Sequence, residues 1–178
     1  SGGGAGYYYS RRIGANPRGD ADGDFVDSPD NSTILGASKI TGRLSSGLSI
    51  GALTAVTSRE FAGTFDTATN TESKTEVAPL RSFSVLRLQQ EFGEYASTVG
   101  VSLTGVGRDL RTDILKEAYN QRAFSGGTDW NLRLKQNTYS LRGAVGFSHI
   151  AGDARAIRNI QENSTHFFQR PDAGHVEL

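Results

Sequence analysis

From Ile34 to His149 the apolar residues recur at every second position rather than at the helical spacing. That stretch is therefore predicted to be mostly β-strand. Six segments carry the alternation: 33–43, 47–58, 81–92, 95–107, 121–134 and 138–149. Each reaches or slightly exceeds the roughly 9–11 residues with which a tilted strand crosses a bilayer. Leu44–Ser46, Gly93–Glu94 and Lys135–Asn137 read as tight hairpin turns. Arg59–Ala78 and Arg108–Asn120 are long polar excursions, and Ala15–Ser32 is another before the first strand. Short turns at one end and long loops at the other describe an antiparallel up-and-down meander, as in outer-membrane barrels. Tyr7–Ile13 is expected to add a seventh strand.

The period changes near the end. Ile157, Ile160 and Phe167 fit a helix over Asp153–Phe167, Asp153 is placed to cap it, and Pro171 forbids continuation. The expected fold is all-β, a partial transmembrane β-barrel with one short helix near the C-terminus, and residues 1–178 form a single domain.

Alternation also assigns every strand residue to a face, which can be inspected for charge. One face carries none at mid-strand: Ile34, Gly36, Ser38 and Ile40; Leu48, Ile50, Ala52 and Thr54; Ser84, Leu86 and Leu88; Val99, Val101 and Leu103; Phe124, Gly126, Thr128 and Trp130; Leu141, Gly143, Val145 and Phe147. The other face takes Lys39, Arg43, Arg81, Arg87, Glu91, Asp129, Arg133 and Arg142. A lipid-bathed face must be clean in this way, because Arg or Lys at the bilayer midplane costs about 2–4 kcal/mol. The second set is then lumen-facing, and its basic excess attracts anions. Aromatic Phe92, Tyr95 and Tyr139 beside the short turns fit an interfacial girdle. A soluble sandwich or lipocalin-like ligand-binding barrel alternates too, with its apolar face packed as a core. Against it stand the Gly, Ser, Thr and Ala of the apolar face and the Arg and Lys beside Gly on the other.

Composition narrows the functions. The chain has 178 residues, net charge zero, 22 glycines and neither cysteine nor methionine. Disulfides, thiolate nucleophiles and cysteine zinc sites are excluded, and neutrality argues against a nucleic-acid partner. No apolar run approaches the ~20 residues of a membrane helix. Lacking an initiator, the chain is expected to be processed or part of a longer one.

Four strings together resemble one family: YYSRRIG at 8–14, ILGASKITGR at 34–43, GLSIGALTAVTSRE at 47–60 and QRPDAGHVEL at 169–178. They are similar to the uncharacterised barrel domain of bacterial outer-membrane proteins that carry an N-terminal carbohydrate-binding module akin to family nine. The resemblance implies an internal barrel fragment in the bacterial outer membrane, with lipid, the remaining barrel strands and a carbohydrate ligand as partners. It carries no established activity. About seven strands is odd and too few to close a bacterial barrel, which uses an even number from eight upward.

Candidate chemistry is sparse. Gly47-Leu48-Ser49-Ile50-Gly51 matches the nucleophile elbow G-x-S-x-G, but it runs from a hairpin into a strand instead of from strand into helix. Asp20, Asp22 and Asp24 alternate in the first loop and are the candidate ligands for calcium as a cofactor, although the EF-hand positions for Gly and Glu hold Phe25 and Asn31. His149, His166 and His175 lack helical ligand spacing and read as polar loop residues. A membrane-embedded hydrolase would need Ser or Asp with His at the rim, and no such grouping is visible. Scaffold or passage is the expected role.

Overall fold

A computed structural model describes residues 13–162. In chain order the elements are β1 (Phe25–Asp27), β2 (Ile34–Arg43), β3 (Leu48–Thr57), β4 (Glu60–Asp66), β5 (Thr71–Ala78), β6 (Leu80–Phe92), β7 (Ser97–Asp109), α1 (Asp113–Ala118), β8 (Arg122–Leu134), β9 (Tyr139–Ala151) and α2 (Ala154–Gln161). β2, β3, β6, β7, β8 and β9 pair in that order into one antiparallel sheet, and β1, β4 and β5 form a smaller one. The six expected strands are thus present, all antiparallel. The sheet does not close on itself, since β2 and β9 are its two edges. Among the described residues no helix is long and apolar enough to cross a membrane, which says nothing about strands. The expected strand at Tyr7–Ile13 lies outside the described residues except for Ile13, which is in a turn.

Each tight connection is made possible by left-handed backbone. Gly47 has φ 85° and donates its N–H to the Leu44 carbonyl at 3.0 Å. A Cβ there would sit 2.6 Å from the Glu91 carbonyl oxygen on β6, so only glycine fits. Lys135, Gln136 and Asn137 take φ of 46°, 56° and 65° to reverse the chain between β8 and β9. The β6–β7 turn occupies residues 93–96, wider than Gly93–Glu94, and β7 correspondingly runs to Asp109.

Two polar excursions prove more ordered than alternation predicts. Arg59–Ala78 is not an open loop but the hairpin β4–β5, with β1 pairing onto β4 through Phe25 opposite Phe65. Its alternation is hidden because the face that becomes buried carries Ala62 and Thr64 rather than large aliphatics. Asn70, at φ 52°, turns the hairpin. In Arg108–Asn120, Thr112 caps α1 by accepting from the Leu115 N–H, and Lys116 pairs with Asp113 at 2.8 Å. The helix near the C-terminus starts as expected, with Asp153 accepting from the Arg155 N–H at 3.0 Å, but ends at Gln161; Phe167 lies outside the described residues. His149, expected in a loop, belongs to β9 opposite Phe124.

The register tests the face assignments directly. Ile40 stands opposite Ala52, Ala52 opposite Leu86, Leu86 opposite Leu103, Leu103 opposite Gly126 and Gly126 opposite Phe147. The neighbouring row runs Thr41, Gly51, Arg87, Ser102, Gly127 and Gly146. The faces read independently from six strands therefore join into two continuous surfaces of one sheet. One end departs: a bulge between Ile34 and Gly36 places Ile34 opposite Thr57, a residue of the charge-bearing face. Burial is inverted relative to a soluble sheet. Val145 and Phe147 on the apolar face are 63% and 59% exposed, whereas Arg81 and Ser102 on the polar face are buried.

Among the described residues the buried apolar side chains gather at the long-loop end. There Val77, Ala78, Leu115 and Tyr119 are buried together with Thr57 and Phe83.

Gly47→Val should raise the cost of the β2–β3 turn by about 1–2 kcal/mol, through forced left-handed backbone. Amide hydrogen exchange should show faster opening in Ile40–Ile50, with the β8–β9 amides unchanged.

Candidate functional site

The polar face of the large sheet gathers the charges that alternation assigned to it. Arg87 on β6 reaches across β7 to Asp129 on β8 in a bidentate pair, its second contact at 2.9 Å. Its guanidinium also donates to Ser102 Oγ at 2.9 Å and to Gln89 Oε1 at 3.1 Å. The side chain crosses over Gly100, where a Cβ would lie 2.5 Å from Nη2, so the backbone must be bare for the pair to form. Arg43 pairs with Glu91 at 2.8 Å. Arg133 donates to the Tyr95 carbonyl at 3.1 Å, and Arg142 donates to Asn131 Oδ1 at 3.4 Å. Lys39 lies exposed on edge strand β2. Two of the six expected basic residues therefore have carboxylate partners within this sheet, and Lys39, Arg81, Arg133 and Arg142 have none within 4 Å among the described residues.

At the long-loop end the polar face is covered by the loop that precedes β2 and by the segment around α1. Arg81 is 5% exposed and donates through Nε to Thr57 Oγ1 at 3.2 Å, and through Nη2 to Ser32 Oγ and to the Ala15 carbonyl at 3.4 Å. Directly opposite it in the register is Arg108, which donates to the Asn120 carbonyl at 2.8 Å. Both guanidinium carbons lie over the Tyr119 ring, 5.9 Å and 5.8 Å from its centroid. The Tyr119 hydroxyl accepts the backbone N–H of Arg18 at 2.6 Å. Arg18, Arg108 and Tyr119 escaped sequence reading. The signal for Arg108 was parity itself: counting on from Ser102 by twos arrives there once β7 is extended past Gly107.

A separate ion network fastens the small sheet. Arg59, between β3 and β4, donates to Glu76 Oε1 at 2.6 Å and also pairs with Asp109 at the end of β7. Burial lowers the affinity of Arg59 for its proton, and the hydrogen bond and charge of Glu76 with those of Asp109 outweigh it, so the pKa is raised.

The calcium candidates are not drawn together. The Asp24 carboxylate accepts the Thr67 N–H at 2.8 Å and the Thr67 hydroxyl, tying the first loop to the β4–β5 turn. Those bonds hold its pKa below the ordinary carboxylate value. Among the described residues no group of three or more His, Asp or Glu side chains is arranged to hold a metal ion. Ser49 stands within β3, opposite Arg43 and Gln89, so G-x-S-x-G forms no strand-to-helix elbow. His166 and His175 lie outside the described residues.

Fold and site together define an antiparallel β-sheet protein with one exposed apolar face and one charge-bearing face roofed at its long-loop end. Residues 4–170 match a domain of unknown function, DUF5916, and the chain belongs to that family. No curated protein and no solved structure matches it.

Asp24 makes the loop attachment sensitive to acid. Its lowered folded-state pKa means that the stabilisation is fully present above the unfolded value near 3.8 and is lost as pH falls through the folded one. Exchange protection of the Thr67 amide should therefore fall on acidification below about pH 4. In Asp24→Asn the same amide should be less protected at neutral pH and should lose this pH dependence.

Proposed function

We propose that the chain is part of the wall of a bacterial outer-membrane β-barrel, serving as scaffold or passage for a parent protein that captures or takes up carbohydrate. The observation that carries this reading is the inverted sheet. An uncharged apolar surface runs across six strands, exposed at Ile40, Val99, Val101, Phe124, Val145 and Phe147, while every mid-strand charge of those strands lies on the other face, which is enclosed at its long-loop end. In water such a surface is a liability; against lipid it is a requirement. Strands of 10 and 13 residues match the bilayer once tilted. Lipid would cover the apolar face, and further strands would meet β2 and β9. The carbohydrate element rests on the sequence resemblance alone.

A soluble ligand-binding barrel remains the competing reading, and it needs a cover over Leu141, Val145 and Phe147, all more than half exposed. A membrane-associated carbohydrate hydrolase is the other alternative, and no arrangement on either face favours it. If the completed barrel is open, six basic residues against two acidic ones favour passage of anions, because inward guanidinium groups keep their charge at physiological pH.

Substitution on the two faces separates these readings. Leu103→Arg and Val145→Arg should each cost about 2–4 kcal/mol in a bilayer and impair assembly. Ala144→Lys, on the polar face beside Asp129, should be tolerated, as read by heat-modifiable migration of outer-membrane fractions from cells expressing the full-length protein. Equal assembly of all three variants would remove the lipid-facing assignment.

Orientation has its own test. The β4–β5 hairpin belongs with the long connections and the β6–β7 turn with the short ones, and in the proposed barrel the long connections face outside the cell and the short ones the periplasm. In intact cells a membrane-impermeant thiol reagent should label Thr69→Cys and leave Glu94→Cys unmodified.

A further inference from the structure

Arg81 and Arg108 are direct cross-strand neighbours, an arrangement in which like charges repel. Arg81 is almost wholly buried and Arg108 partly so, and among the described residues neither has a carboxylate within 4 Å. Arg18 adds a third positive charge that acts on both, and the negative charge of Glu60 acts only on Arg81. The Glu60 carboxylate is engaged elsewhere, accepting the Thr33 N–H at 2.7 Å.

Neutral acceptors supply part of what these guanidinium groups need: Ser32, Thr57, and the carbonyls of Ala15 and Asn120. The Tyr119 ring adds cation–π attraction. None of these carries a full negative charge. Moreover, Nε of Arg108 is buried with no acceptor at all, the sole such side-chain atom among the described residues. Protein sheets do not readily keep an unmet buried donor beside an uncompensated like-charge pair, since each costs stability. The combination is what an anion site requires: clustered positive charge and a donor, Arg108 Nε, that no group of the described chain satisfies.

We propose that Arg81, Arg108 and Arg18, organised around Tyr119, form a binding site for an oxyanion at the long-loop end of the polar face. A phosphate, sulfate or carboxylate group would accept from Arg108 Nε and neutralise the pair. Arg18 is exposed and Arg81 is almost wholly buried. The anion is either free or carried on a larger molecule such as an acidic sugar, and the two are told apart below. This site does not depend on the membrane reading, since the donors belong to the folded chain whether its apolar face meets lipid or not.

Titration calorimetry on the full chain, folded in detergent or in buffer as it requires, tests the proposal with inorganic phosphate and with glucuronate, against chloride at equal ionic strength. At least one of the two oxyanions should bind and raise the unfolding midpoint beyond chloride. Phosphate alone points to a free or phosphorylated ligand, and preference for glucuronate to a sugar-borne carboxylate. Arg108→Gln should weaken binding about tenfold or more, the expected loss of a charge-assisted bond. Arg111→Gln, which removes an exposed charge nearby, should leave it unchanged. If Arg108→Gln does not fold, Arg18→Gln replaces it, because an exposed side chain is expendable for folding, and it should weaken binding about two- to threefold by loss of one neighbouring charge. Absence of any advantage over chloride in the unmodified chain overturns the proposal, and so does unchanged binding in a folded Arg108→Gln or Arg18→Gln variant.

Discussion

Strand register is the constraint on which everything else in this molecule rests. Side chains alternate with a period of two, so a slip of one residue between any two neighbours would carry an entire strand's charges to the apolar surface. Three devices hold the register. The turns at Gly47, at residues 93–96 and at Lys135–Asn137 fix the lengths of the hairpins. The apolar row from Ile40 to Phe147 has no polar residue that would accept displacement. Arg87 and Asp129 lock β6 to β8 across the intervening strand, and that bidentate geometry is lost if either strand moves by one position.

The Arg87–Asp129 pair also shows why glycine and serine occupy so much of the polar face. A guanidinium lying flat across a neighbouring strand needs bare backbone beneath it, which Gly100 gives, and small hydroxyls to take its remaining donors, which Ser102 gives. Large aliphatics there would force the arginine away from its carboxylate and leave two charges half-buried and apart. The composition that looks too polar for a core is thus what a wall lined with long charged side chains requires.

Much of this was legible in the sequence because charge marks a face without ambiguity. Lys39, Arg87 and Asp129 each fix the parity of a whole strand, and the six assignments agree in the structure. What remained hidden was hidden for physical reasons. The β4–β5 hairpin buries Ala62, Thr64 and Ala78, residues too small or too polar to mark a face by hydropathy. Ile34 sits beyond a bulge, and one extra residue defeats any counting by twos. The Arg81–Arg108–Tyr119 cluster joins residues from β6, β7 and the end of α1 with a loop more than sixty residues upstream, and no local pattern encodes such a meeting. Asp24 was read for its charge and is used for its hydrogen-bonding oxygens instead.

The two free edges sharpen what the sheet requires of its surroundings. β2 and β9 each expose a line of backbone donors and acceptors along 10 and 13 residues. In water those groups are hydrated at little cost and the liability is the apolar face, which would drive face-to-face association. In hydrocarbon the liabilities exchange places: the apolar face is at home, and each unpaired edge group costs several kcal/mol. A covered face with open edges is therefore consistent only with water, and an open face with paired edges only with lipid. The proposed barrel wall is the second of these two cases. A soluble sheet guards its edges with inward-pointing lysine, proline or a pronounced twist. Here β9 carries a single charge, Arg142, together with Leu141, Val145 and Phe147, and β2 has only Lys39 and Arg43. β9 is thus the less guarded edge and β2, with Lys39 at mid-strand, the better guarded one, so it is at β9 that the proposed barrel reading most needs a further strand.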